Sequence, residues 1–170
     1  MAGKPPFDPY AILAALERRR VTYVVIGAFA RVVQGAEEIT HGIDLVPAIR
    51  AENLRRLTLA LEDLGADRVD RKPVAFDEAT LREEPPLVLR SPAGELKIVP
   101  EPAGTRGGYD ALRRTATREP IGKGLRPSIA STADLARMLA ALGREADLPK
   151  LIALRRLQRL EQSLGPELGL

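Results

Sequence analysis

Tyr23-Val24-Val25-Ile26-Gly27-Ala28-Phe29-Ala30, followed after a short gap by Ile39-Thr40-His41-Gly42-Ile43-Asp44-Leu45-Val46-Pro47, is the stretch that decides the fold. The run from Thr22 to Ile26 is rich in β-branched residues and predicts a buried strand. Gly27 stops it, and Ala28 to Gln34 predicts a short helix closed by Gly35. Ile43 to Val46 predicts a second short strand, halted by Pro47 because proline has no amide to give a sheet.

Before this stretch a helix is expected from about Pro9, with Asp8 as its cap and Ile12, Leu13 and Leu16 on its apolar face. Arg18-Arg19-Arg20 ends it, where cations suit the helix dipole. After the stretch, Ala51 to Leu64 places Leu54, Leu57, Leu61 and Leu64 on one face and stops at Gly65. Residues 67–86 are polar and proline-marked, with one helical turn expected around 77–82. Leu87 to Arg90 and Glu95 to Val99 flank a Ser91-Pro92-Ala93-Gly94 turn and predict a β-hairpin. A loop over 100–108, a helical turn over 109–114 and a strand over 125–130 follow. Ser131 with Asp134 three residues on resembles a capping box with a shorter acid. It opens a helix over Leu135, Met138, Leu139 and Leu142, and Gly143 breaks the pattern. A last helix over 147–164 sets Leu151, Leu154, Leu157 and Leu160 opposite Arg155, Arg156 and Arg159, an arginine stripe that usually means a solvated face.

This order predicts an α/β (α+β) fold, a small mixed sheet flanked by helices with a C-terminal helical segment. Residues 1–130 are expected to form the core, with the helices of 131–170 packed on it as one compact domain. No internal repeat or low-complexity tract is present.

Composition narrows the chemistry. The 170 residues include no cysteine and one histidine, which excludes disulfides, thiolate zinc sites and cysteine nucleophiles. Any metal site has to be built mainly from oxygen ligands, which suits magnesium. Lys and Arg number 26 against 23 Asp and Glu, an excess of +3 that permits nucleotide or nucleic-acid contact without requiring it. No apolar run is long enough for a signal peptide or a membrane span, so a cytoplasmic protein with no membrane partner is expected.

The quoted stretch resembles the nucleotidyltransferase superfamily of the DNA polymerase beta type. Within it, the chain looks like the small bacterial members that include abortive-infection and toxin–antitoxin nucleotidyltransferases. In that superfamily the first strand ends in Gly-Gly or Gly-Ser, the second carries Asp-x-Asp after a Thr, and a third carboxylate lies on a later strand. The resemblance implies a phosphate loop at Gly27 and Ala28, with Arg31 and Lys97 as further nucleotide-binding candidates. It also explains what each part of an active member does. Glycine lets backbone amides approach a triphosphate. Two Asp at a spacing of two share one face of a strand, and with a third carboxylate they hold two magnesium ions.

At those positions this chain departs from the pattern. Gly42 stands at the first Asp position, so only Asp44 remains of the pair, and Lys97 stands where the third carboxylate is expected. Ala28 replaces the second glycine. Met138 and Leu139 occupy the part of the helix after Ser131 where related proteins suggest a lysine. Asp44 alone cannot hold two divalent ions. Glu95, two residues before Lys97 and on its face, is a candidate substitute, and His41 lies beside the site in a loop. Asp44 has a second reading as a structural anion paired with Lys97.

The implied function is therefore a nucleotidyltransferase-fold protein with an eroded metal site, catalytically inactive, binding a nucleotide, RNA or a protein partner. No cofactor is expected in that case, and magnesium only if the site is active. The alternative is a metal-dependent transferase moving a nucleoside monophosphate from a nucleoside triphosphate onto RNA, protein or a small molecule.

Overall fold

A computed structural model describes residues 6–75, 77–83 and 86–168, with side chains described to residue 164. Met1 to Pro5, the start of the span expected to form the core, lie outside them.

The elements in chain order are α1 (Pro9–Arg18), β1 (Tyr23–Ile26), α2 (Gly27–Val33), β2 (Gly42–Pro47), α3 (Ala51–Asp63), β3 (Asp67–Arg68), α4 (Glu78–Glu83), β4 (Leu87–Ser91) and β5 (Gly94–Ile98). They continue with α5 (Gly108–Leu112), β6 (Thr117–Arg118), β7 (Ser128–Ile129), α6 (Thr132–Leu142) and, after a single 3-10 turn, α7 (Leu148–Leu168). The seven strands form one mixed sheet in the order β3-β4-β5-β2-β1-β7-β6. At its centre β2 runs antiparallel to β1 and parallel to β5, while β1 runs parallel to β7.

Burial explains this arrangement. Tyr23 to Ile26 is buried at every position, as a central strand covered on both faces has to be. Ile12, Leu13 and Leu16 of α1, Leu54, Leu57 and Leu61 of α3, and Leu96 and Ile98 of β5 meet in one core. Buried leucines and isoleucines of this kind stabilise by about 1.5–3 kcal/mol each.

The caps are those the residue types predict. Asp8 Oδ1 accepts from the Ala11 amide at 3.1 Å, and Ser131 Oγ accepts from the Asp134 amide at 3.1 Å. The Asp134 carboxylate does not reach back to complete the box. It accepts from Thr115 Oγ1 and from Arg137 instead.

Elsewhere the structure departs from the periodicity. Of the strand expected over 125–130 Ser128–Ile129 forms β7, Leu125 and Pro127 pair back on residues 119–122 as a hairpin, and the Ala130 amide bonds the Val25 carbonyl. The dipeptide strands β3 and β6 have no pattern long enough to announce them. On α7 Leu154 is buried, whereas Leu160 is 56% exposed although it continues the same leucine series. Among the described residues no helix is long and apolar enough to cross a membrane.

Candidate functional site

The parallel pairing of β2 with β5 sets Gly42 opposite Glu95 and Asp44 opposite Lys97. Side chains alternate along a strand, so Asp44, Glu95 and Lys97 emerge on the same side of the sheet, all half-buried, while Ile43, Leu45, Leu96 and Ile98 enter the core. The antiparallel pairing of β1 with β2 brings Ile26 opposite Asp44 and so delivers Gly27, the first residue of α2, to the same place. Gly27, Asp44, Glu95 and Lys97 therefore come together across three strands, and the face they share is the candidate cleft.

Two close approaches define its floor. Gly27 has φ +73, and a Cβ built there would lie 2.5 Å from Asp44 Oδ2. Both the left-handed backbone and the carboxylate pressed on it require glycine, whatever else the loop binds. Gly42 is closed off more firmly, because a Cβ there would lie 2.4 Å from the Glu95 carbonyl oxygen, a backbone atom of the paired strand. Thr40 reinforces this turn, donating from Oγ1 to the Gly42 carbonyl at 2.9 Å.

Among the described residues, Asp44 makes no salt bridge or side-chain hydrogen bond. Lys97 faces it across the ladder without closing an ion pair. Burial pushes the Asp44 carboxyl above the ordinary carboxylate range, Lys97 and then Arg31 pull it back, and Glu95 adds to the rise. Glu95 itself sits 4.0 Å from Arg90 on β4. His41 is exposed, and it is its backbone carbonyl that takes part, accepting from the Glu95 amide at 3.3 Å.

The rise at Asp44 has a consequence for stability. With the folded value above the unfolded one, the native state holds more protons between the two, so stability falls as pH rises through that window. Asp44→Asn is expected to melt higher than the unsubstituted protein at neutral pH. The difference should disappear in acid, below the ordinary carboxylate range, when melting temperatures are compared across pH.

Arg31, the remaining nucleotide-binding candidate, has a partner that sequence reasoning missed. Its guanidinium is buried and holds Glu38 in a two-pronged pair, Nε to Oε2 at 2.6 Å and Nη2 to Oε1 at 2.9 Å. Lys150 of α7 reaches the same carboxylate at 3.8 Å and Asp147 at 3.8 Å, and Arg144 also bonds Asp147. These charges tie the loop after α2 to the start of α7. The Arg155, Arg156 and Arg159 stripe is exposed further along α7, away from the cleft residues in sequence.

Asn53 was likewise unmarked in the sequence. It is buried, accepts from the Thr22 amide at 2.7 Å, and donates to the Thr22 and Ala48 carbonyls at 2.9 and 2.7 Å. It fastens α3 to the entry of β1 and the exit of β2, and so holds the two strands of the cleft in register.

The residues present do not fit a pair of magnesium ions. No group of three or more His, Cys, Asp or Glu side chains able to hold a metal comes together among the described residues. Gly42 has no room for a side chain, and a cation stands opposite Asp44.

The architecture is a mixed sheet flanked by helices with a helical C-terminal segment. It is shared with ANT(2'')-Ia in two solved structures. One is a solution structure of that antibiotic-resistance factor, concerned with its substrate-regulated conformation dynamics; it has a TM-score of 0.57 and 20% identity, over 93% of this chain and 83% of that one. The other is a crystal structure of ANT(2'')-Ia in complex with adenylyl-2''-tobramycin, with a TM-score of 0.55 and 18% identity, over 93% of this chain and 88% of that one. At such identities the likeness is one of fold. No protein-family model and no curated protein matches the chain.

Proposed function

We propose that this chain is a nucleotidyltransferase-fold protein without transferase activity, which binds a nucleotide in the cleft at Gly27, Asp44 and Lys97. The observation that carries the reading is that a Cβ on Gly42 would meet the Glu95 carbonyl oxygen at 2.4 Å. The first carboxylate of a two-metal site is not merely replaced there; the neighbouring backbone has taken its space. Lys97 supplies, without a metal, a positive charge to which a phosphate can bind. RNA and a partner protein, as in a toxin–antitoxin pair, are the other ligands of the same reading.

A second reading, an active transferase using Asp44 with Glu95, is favoured by one observation: Asp44 faces the cleft with no hydrogen-bond partner among the described residues. A magnesium-dependent activity abolished by Asp44→Ala would establish that reading.

Thermal melting against each nucleoside triphosphate, with magnesium and then with EDTA, separates the two. A ligand at 100 times its Kd adds about 2.7 kcal/mol, or roughly 5–10 °C for a chain of this size. A shift that survives EDTA is expected. A shift that requires magnesium would overturn the proposal, and no shift with any triphosphate would move the ligand to RNA or protein.

A further inference from the structure

Residues 113–126 hold Arg113, Arg114, Arg118, Lys123 and Arg126 with a single acid, Glu119. The rest of the chain contains one more acidic than basic residue, so the net positive charge of the protein resides in this segment. All five cations are exposed.

The segment is built as a firm ribbon. Arg118 pairs with Ser128, and the ladder runs on outward through the Glu119 amide to the Pro127 carbonyl and the Ile121 amide to the Leu125 carbonyl, both at 3.1 Å. Gly122, Lys123 and Gly124 make the tip with φ of +105, +54 and +74. That register sets Arg126 opposite Pro120, two residues beyond Arg118, so Arg118 and Arg126 share one face of the ribbon as diagonal neighbours.

These cations stand with few acids, as Arg155, Arg156 and Arg159 of α7 also do, but here five of them fall within residues 113–126. Elsewhere Arg19 is paired with Asp63, Arg56 with Glu52 and Arg82 with Glu78. Here Arg113 comes only within 3.8 Å of Asp110, and Arg114, Arg118 and Arg126 make no ion pair or side-chain hydrogen bond among the described residues. Lys123 lies over the Tyr10 ring, 4.5 Å from its centroid. Beside that ring is an open apolar recess of about 270 Å³, lined by Pro9, Tyr10, Phe29, Val33, Pro120 and Ile121.

We propose that the hairpin 113–126 and the recess beside it form a binding surface for single-stranded nucleic acid, with the arginines on successive phosphates and one unstacked base in the recess. Arginine forks match phosphate oxygens, and an apolar recess lined by two aromatic side chains, Tyr10 and Phe29, accepts a base without regard to its identity. A duplex keeps its bases stacked and has nothing to place in the recess. The hairpin lies on the β7 side of β1, and the recess takes Phe29 and Val33 from α2 but none of Gly27, Asp44, Glu95 or Lys97, so the inference does not rest on nucleotide binding in the cleft.

The test is binding of a labelled oligo(U) of about 12 nucleotides to the full chain across a salt series, alongside the matched duplex and polyglutamate. Tight binding at low salt is expected, falling as salt rises and exceeding binding to the duplex. Arg114→Gln/Arg118→Gln/Arg126→Gln should weaken it roughly tenfold or more and flatten the log–log salt slope by about 2. The melting temperature should be unchanged, since the three side chains are exposed. Tyr10→Leu should erase the preference for single strands. The salt series on the unsubstituted protein tests the surface without any variant. No oligonucleotide binding at low salt, equal binding of the duplex or of polyglutamate, or a triple variant that binds as before would each overturn the proposal. Nucleotide-dependent melting shifts in the cleft should survive the triple variant, so failure of one proposal is distinguishable from failure of the other.

Discussion

Gly42→Asp is expected to destabilise the protein by about 3 kcal/mol or more and to leave it without magnesium-dependent transfer, alone or combined with Lys97→Asp. On charge alone the double substitution would rebuild an acidic cluster beside Asp44. The obstacle is steric. The new Cβ would lie 2.4 Å from the Glu95 carbonyl oxygen, where the Glu95 amide bonds the His41 carbonyl on one side and the ladder runs on through Leu96 and Ile98 on the other. Relief requires the paired backbones to separate, because no flexible side chain is available to move aside. The expected loss corresponds to a fall in melting temperature of roughly 6–12 °C, while Lys97→Asp alone should melt much closer to the unsubstituted protein. A double variant that melts normally and turns over a nucleoside triphosphate with magnesium would show that the cleft had kept room for its metals.

Arg31→Met should cost about 3–5 kcal/mol, since it strands a carboxylate whose side chain is only 7% exposed. Lys150, 3.8 Å from Glu38, would compensate only in part. Replacing both partners, Arg31→Met with Glu38→Met, should recover most of the loss, because a buried ion pair is often matched by apolar residues of similar volume. Denaturant unfolding of both single variants and the double variant gives the coupling directly. If Arg31 serves chiefly as a phosphate ligand, the result differs: the single variant would keep its stability and lose the nucleotide-dependent melting shift. Two additive losses would also count against a shared buried pair.

The fold was readable because its signals are local. The β-branched run into Gly27, the leucine period of α3 and the turn at Pro92-Ala93 each depend on a few neighbouring residues, and each stands where expected. The cleft was readable only as positions. Spacing put Asp44 and Lys97 on the right strands, but it could not say that they would face one another without a salt bridge. Nor could it say that Gly42 would be overrun by the neighbouring strand, because that depends on how closely two backbones approach. Arg31 and Glu38 lie seven residues apart across Gly35, and Lys150 more than a hundred residues further on. No periodicity links such residues, so the network was invisible until the loop and α7 were placed. Asn53 was hidden for a different reason. On a helix with a good leucine face an asparagine reads as a solvent position, and only the tertiary contacts turn it inward.

The placing of β1 between β2 and β7 bears on how the chain is made. One edge of β1 is covered early, by a strand about twenty residues downstream. The other waits for Ser128–Ile129, about a hundred residues later. During synthesis Tyr23 to Ile26, buried at every position in the folded chain, therefore waits through about a hundred residues of elongation with an open edge rich in β-branched residues. Exposed strands of this kind are what chaperones shield and what neighbouring nascent chains can join. A ribosome stalled before residue 128 would release a chain whose central strand still lacks a neighbour on one side.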